Sequence, residues 1–270
     1  MTQFKTYKLG KFAITRPWVM GILNVTPDSF FAGSRAQTEA EIACRARLMA
    51  GQGAAIIDVG ACSTRPGGTP VGEDAECERL RMALAVVRRE LPQAAISVDT
   101  FRPAVARMAV EEMGADIIND VGPEAIGSVE AVETRRLMFR TVAELGVPYI
   151  LMSREATMRD MLMTFAREVQ QLRDMGQKDI VLDPGFGFGK TLQQNYDILH
   201  QLERLQVLGL PVLAALSRKS MIYRRLGITP GESLCATTAL HAVALMKGAA
   251  MLRVHDVKEA VECVAVVSDM

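Results

Sequence analysis

Eight short apolar runs recur along the chain: 18–24, 54–60, 94–100, 115–121, 148–153, 179–185, 211–217 and 249–256. Each ends in a polar or glycine-rich turn. Most lack strict alternation, as expected of parallel strands covered on both faces by helices. Between them lie segments with helical spacing of apolar residues, at 38–53, 73–91, 157–176, 194–209 and 232–248. Gly176 is placed to cap the third of these, and Gly53 and Gly248 to end two others. Strand, loop and helix repeat about every 30 residues, as βαβ units require. Eight such units in a chain of 270 residues predict an α/β fold, the (β/α)8 TIM barrel, as a single domain over 1–270. A doubly wound Rossmann sheet is the rival, but it uses fewer strands and carries its glycine motif in the first βα unit. Residues 4–15 read as a short β-hairpin ahead of the first barrel strand, covering the barrel floor.

Composition narrows the class. Positive and negative side chains balance at 31 each, so no basic field points to nucleic acid. No apolar run is long enough to span a membrane, and the N-terminal stretch has no apolar core of a secretory leader. Five cysteines are scattered without a CxxC pair, which predicts reduced thiols in a reducing, cytoplasmic setting. Only three histidines are present and none is spaced with a cysteine, which argues against zinc. His200 and His241 fall inside helical patterns and read as structural or surface residues. The Met-rich start of the 157–176 helix reads as core filler.

One stretch, DPGFGFGKT (183–191), invites a phosphate-loop reading. A P-loop needs a glycine where this chain has Pro184, and proline offers no N–H to a phosphate. The dinucleotide fingerprint fails too, because the glycines stand at 185, 187 and 189. What remains is the end of a buried strand that opens into a glycine-rich turn.

In a TIM barrel the active site is built from the C-terminal strand ends. Here those ends carry Asn24; Asp58, followed by Thr64, Arg65 and Pro66; Asp99; Asn119; Met152 and Ser153; Asp183; Ser217, Arg218 and Lys219; and Arg253 and His255. A strand-end aspartate can simply cap the next helix, and Arg218 or Lys219 alone would be an ordinary solvated face. Jointly they describe more. Asp99, Asn119 and Asp183 can read the N–H and C=O edges of a flat heterocycle, with Lys219 as a further donor. Arg65, Arg253 and His255 come from strands brought together by barrel closure. They suit a pyrophosphate, since guanidinium groups bind phosphate through a bidentate fork.

The motifs MGILNVTPDSF (20–30), STRPGG (63–68), SVDT (97–100), IND (118–120), DPGFGFGK (183–190), SRKS (217–220) and RVHD (253–256) resemble the dihydropteroate synthase family in order and spacing. The resemblance implies a transferase of folate biosynthesis. It would condense 6-hydroxymethyl-7,8-dihydropterin pyrophosphate with p-aminobenzoate, assisted by Mg²⁺, to give 7,8-dihydropteroate and pyrophosphate. It further implies that Asp99, Asn119, Asp183 and Lys219 hold the pterin, with Met152 and Phe188 shaping its slot. Asn24 would help place Mg²⁺ and pyrophosphate, which Thr64, Arg65, Arg253 and His255 would grip. Phe30, Thr64, Pro66 and Ser217 would border the p-aminobenzoate site, where the family's sulfonamide drugs bind. Asp99, Lys219, Arg253 and His255 would carry the chemistry. Partners would be these small molecules and a second copy of the chain in a homodimer.

The chain departs from the family pattern in four places. Phe31-Ala32 stands where the family has Ser-Asp, and Ser153 stands where it has histidine. Ala215 replaces a glycine, and Ala61-Cys62 replaces Gly-Glu. Two rival functions share the barrel: a methyltetrahydrofolate-dependent methyltransferase domain, which needs no pyrophosphate site, and a pterin-binding member without turnover.

Overall fold

In the computed structural model the described residues are 4–25, 38–62, 71–122 and 129–268. The chain opens with a small antiparallel hairpin, β1 (Tyr7–Leu9) and β2 (Phe12–Ile14). Eight parallel strands follow: β3 (Trp18–Asn24), β4 (Ile56–Gly60), β5 (Ala95–Asp99), β6 (Ile117–Asp120), β7 (Tyr149–Met152), β8 (Ile180–Asp183), β9 (Leu213–Ala214) and β10 (Met251–Val254). Their order is β8-β7-β6-β5-β4-β3-β10-β9. The ring closes through a single parallel bridge, Leu182 to Val212, where the Leu182 N–H donates to the Pro211 carbonyl at 2.9 Å. This is the expected TIM barrel with its N-terminal hairpin.

Helices cover the outside: α1 (Glu39–Gly51), α2 (Glu73–Glu90), α3 (Pro103–Glu111), α4 (Val129–Leu145), α5 (Met158–Asp174), α6 (Leu192–His200), α7 (Ser220–Leu226), α8 (Leu234–Met246) and α9 (Val257–Ser268). Local chemistry sets their starts. Thr38 and Glu41 form a reciprocal capping box on α1, and Thr191 and Gln194 form another on α6, each satisfying two orphan backbone donors. Gly53, Gly176 and Gly248 follow α1, α5 and α8 with φ of +96°, +94° and +87°, as helix-ending glycines do.

Two expectations need correction. The predicted helix 194–209 is two elements, α6 and a 3-10 segment Leu202–Leu208. Buried Leu202 and Leu205 are three residues apart, the spacing that stacks on one face of a 3-10 turn. The predicted strand 211–217 pairs only over Leu213–Ala214. Pro211 has no N–H to donate, and the chain then turns sharply at Arg218, the one described non-glycine residue with positive φ, at +53°.

The barrel has two interiors. Outward-facing strand residues such as Ile57, Val98, Leu151, Leu182 and Leu252 pack against the helices in the large core. Inward-facing Met20, Ile56, Ala95, Ile117, Ile150, Val181, Leu213 and Met251 fill the lower barrel, and Leu9 and Ile14 of the hairpin plug it from below. Continuing up the same inward face, period two delivers polar residues: Asp58, Ser97, Asp99, Asn119, Asp183 and Arg253. The floor is therefore dry and apolar, while the mouth is polar.

Candidate active site

The mouth is organised around Arg253. Its Nε donates to Asp58 Oδ2 at 2.6 Å and one terminal nitrogen donates to Asp99 Oδ2 at 2.5 Å. Asp58 also accepts from Asn119 Nδ2 at 3.1 Å. Four residues from β10, β4, β5 and β6 thus form one connected network. Asp58 is fully buried and Asn119 is 1% exposed. Asp58 Oδ1, Asn119 Oδ1 and Ser97 Oγ are buried without a hydrogen-bond partner among the described residues. Buried acceptors left unpaired are costly, so this end of the cavity suits a ligand that brings N–H groups.

On the opposite side Lys219 carries the complementary charge. Its Nζ donates to the Phe186 carbonyl and lies 4.7 Å from the Phe188 ring centre. Burial pulls the Lys219 ammonium down to about 8, Asp183 opposes that shift, and Arg253 adds to it. Burial likewise raises Asp183, against the pull of Lys219. Asp183 Oδ1 accepts from the Gly185 N–H at 2.7 Å, which ties it to its own turn. Asp99 is raised to about 7, first by burial and further by Asp58 and Glu76, while Arg253 holds it down. Asp99 makes no cap for α3, whose N-cap is Arg102 without a side-chain bond.

Ser217 and His255 form a second pair at the same rim. The Ser217 hydroxyl accepts from the His255 N–H at 3.2 Å and sits 3.1 Å from His255 Nδ1. The contact ties the imidazole to Ser217 and fixes the orientation of its ring. Burial and the nearby Arg253 charge lower His255 to about 3, so the imidazole is neutral.

Asn24 ends β3, half-buried. Across from it, a Cβ on Gly60 would lie 3.4 Å from both Asn24 Oδ1 and Asp99 Cβ. Asn24 and Asp99 thus lie side by side over Gly60. Met152 ends β7 and packs beneath the turn after β8, where a Cβ on Gly185 would come within 3.0 Å of Met152 Cγ. The structure thus brings Asn24, Asp99, Asn119, Met152, Asp183, Phe188, Ser217, Lys219, Arg253 and His255 to one barrel end. Phe30, Thr64, Arg65, Pro66 and Ala32 lie outside the described residues.

Three residues matter more than their sequence signals indicated. Asp58 anchors Arg253; its mid-strand place in IIDVG hid that it faces inward. Arg218 is not a solvated surface cation. It is 5% exposed, and it forks onto Asp256 at 2.8 and 2.9 Å and donates to the Pro230 and Gly231 carbonyls at 2.7 Å. Those bonds hold the left-handed turn that presents Ser217 and Lys219, a strained conformation over-determined by its surroundings. Lys190, the lysine of the GKT triplet, binds three backbone carbonyls, and Thr191 is an N-cap.

An (β/α)8 barrel whose mouth pairs buried carboxylates and an amide with cations defines an enzyme that binds a flat nitrogen heterocycle. Residues 20–255 match the pterin binding enzyme family. Dihydropteroate synthase of Escherichia coli strain K12 is 37% identical over 269 residues, covering 94% of this chain and 92% of that protein. The fold superposes on Yersinia pestis dihydropteroate synthase, solved with a sulfonamide drug complex, with a TM-score of 0.86, 33% identity and 98% of each chain covered. It also matches Xanthomonas albilineans dihydropteroate synthase, solved with 4-aminobenzoic acid, with a TM-score of 0.80 and 38% identity over 94% of this chain and 93% of that one. The chain belongs to the pterin-binding enzymes, within the dihydropteroate synthase family.

Proposed function

We propose that this protein joins 6-hydroxymethyl-7,8-dihydropterin pyrophosphate to p-aminobenzoate, forming 7,8-dihydropteroate and releasing pyrophosphate. The observation that carries the reading is the linked cluster Asp58–Arg253–Asp99–Asn119, facing Asp183 and Lys219 across the polar mouth of the barrel. Its unpaired acceptors match the N–H edges of a pterin. Asp99, Asn119, Asp183 and Lys219 hold that ring, and Met152 and Phe188 flank it. Thr64, Arg65, Arg253 and His255 hold the pyrophosphate, while Phe30, Thr64, Pro66 and Ser217 border the aminobenzoate.

The residues then have defined work. The bond between the pterin methylene carbon and the pyrophosphate oxygen breaks, and positive charge spreads from that carbon into the ring. The Asp99 carboxylate stabilises this charge in a low-dielectric site. Arg253 and the neutral His255, which offers one N–H, take up charge on the leaving oxygens. The amine of p-aminobenzoate forms the new C–N bond and loses a proton; it needs position more than a strong base.

Mg²⁺ fits beside Asn24. Magnesium keeps several waters and shares its remaining ligands with phosphates, so one amide oxygen next to Asp99 is a suitable protein contribution. No cluster of three acidic, histidine or cysteine ligands is present among the described residues. When bound, the ion would neutralise pyrophosphate charge.

Purified protein supplied with both substrates and Mg²⁺ should release pyrophosphate, and chelation of the metal should suppress it. Release without p-aminobenzoate, or none with both substrates, would overturn the reading. Because Asp99 works as the carboxylate and is raised to about 7, kcat/KM should climb as pH rises through about 7. Asp58→Asn removes one of the charges that raise it, so the acid limb should move to lower pH. An unmoved limb would separate Asp99 from catalysis.

A homodimer is part of the same proposal. Helix α8 has no charged residue from Leu234 to Met246 and exposes Cys235, Ala239, Val243 and Met246 along one side. Exposed apolar surface of this kind marks protein interfaces, and Val243→Glu should yield monomers by light scattering. A cytoplasmic location is supported by the five cysteines, all of them free thiols. No helix among the described residues is long and apolar enough to cross a membrane.

A further inference from the structure

The wall formed by Val121 and Gly122 after β6 and by the loops after β7 and β8 is held by two basic side chains that the reaction itself does not call on. Lys190 Nζ donates to the Gly185 carbonyl at 2.9 Å, the Ser153 carbonyl at 3.1 Å and the Phe188 carbonyl at 3.4 Å. An ammonium has three protons, and all three are committed to backbone oxygens of the two loops after β7 and β8. Arg154 extends the tie. It donates to the Val121 and Gly122 carbonyls after β6, at 3.2 and 3.0 Å, and its guanidinium lies 5.2 Å from the centre of the Phe188 ring. Lys219 approaches that same ring at 4.7 Å, so two cations fix the Phe188 aromatic plane.

The glycines in this wall are consistent with a tight clamp. At Gly185, φ is +63° and a Cβ would fall 2.2 Å from the Ser153 carbonyl oxygen and 3.3 Å from Lys190 Nζ. The chain folds back on itself there with room only for a hydrogen atom, and Lys190 closes the gap. Arg135 supports the wall from behind by donating to the Met152 carbonyl at 2.9 Å. Burial lowers the Lys190 ammonium to about 7; Asp183 and Glu155 favour its charge, and Lys219 and Arg154 oppose it. Such a buried cation is retained here by backbone oxygens and not by a single ion pair.

We propose that Lys190 and Arg154 are positioning residues for the heterocycle slot, tying Val121 and Gly122 after β6 and the loops after β7 and β8 into one preformed wall and fixing Phe188 against it. The proposal rests on the pterin reading of the site. Arg154, one place after Ser153, braces that loop together with Lys190.

A preformed wall lowers the ordering cost of binding and leaves the chemical step alone. The test is steady-state kinetics of the full chain with Lys190→Met and Arg154→Met, each keeping an unbranched apolar stem but unable to donate. The KM for the pterin pyrophosphate should rise about tenfold in each, with kcat at saturation within about threefold of the parent, the pattern of lost uniform binding. The KM for p-aminobenzoate should stay within about twofold, since its side of the mouth is untouched. An unchanged pterin KM in both variants, or a fall in kcat with KM unmoved, would overturn the proposal. Should Lys190→Met fail to fold, Arg154→Met decides by itself. A parent protein that does not turn over would instead overturn the function reading. Direct titration of the pterin pyrophosphate against parent and variants would then still read the clamp as the same tenfold change in Kd.

Discussion

Replacing Arg253 with alanine should destabilise the protein by about 3–5 kcal/mol, the usual cost of stripping one partner from a buried ion pair. Among the described residues, Arg253 is what links Asp58, which is fully buried, to Asp99. Without it two carboxylates face each other in a cavity with a dry floor. They respond by holding protons, because burial and mutual repulsion both favour the neutral form. The defect should therefore depend on pH in a defined direction. At pH 8 the folded variant must either carry two unpaired charges or keep protons that the unfolded chain releases. As pH falls toward 5 that difference shrinks, so the gap between parent and variant narrows. Urea unfolding at the two pH values measures it. A gap equal at both, or no loss at all, would mean that the Asp58–Arg253–Asp99 network does not carry the mouth's electrostatics. In the same variant, inhibition by added pyrophosphate should weaken; an unchanged response would remove Arg253 from the leaving-group site.

Lys219→Ala should have the opposite profile, with little loss of stability and a severe loss of turnover. The Lys219 ammonium is desolvated, and among the described residues it donates one hydrogen bond, to the Phe186 carbonyl, and forms no ion pair within 4 Å. Its backbone sits at the N-cap of α7, where the side chain makes no capping bond, so truncation leaves the helix start intact. Removing a preorganised charged donor from a water-poor site typically costs about 10²–10³ in rate, and kcat/KM for the pterin substrate should fall by that order. Wild-type activity should also decline as pH rises through about 8, because the ammonium is held near that value. Lys219→Arg, which does not titrate there, should retain some activity and push that limb upward. Near-normal kinetics for the alanine variant would take Lys219 out of the site.

These contrasts show which parts of the site can be read along one dimension. The eight runs of apolar residues are a local signal, because a parallel strand buried on both faces must be apolar wherever it lies. Their boundaries held within two residues for most strands. The strand of 211–217 was the exception, because its pairing depends on Pro211 and on the turn at Arg218. The helix of 194–209 broke for a related reason: whether Leu202 and Leu205 continue an α-helix or stack in a 3-10 turn depends on the core they meet. Candidate ligand groups were legible because a barrel puts its strand ends together, so Asp99, Asn119, Asp183, Lys219 and Arg253 could be picked out without knowing any distance.

Pairing was not legible. Nothing in the local pattern around Asp58 says that its carboxylate lies under Arg253, 195 residues away in sequence. Nor does GFGKT reveal that Lys190 binds carbonyls while Thr191 caps a helix. Arg218 looks like a surface cation until the turn at Pro230 and Gly231 closes over it. Propensity and periodicity act over a few residues, and they settled the barrel, its floor and the ring of polar strand ends. Charge partners, burial and the protonation they impose depend on closure of the sheet, which brings residues far apart in the chain within hydrogen-bonding distance, and this is why they became readable only in three dimensions.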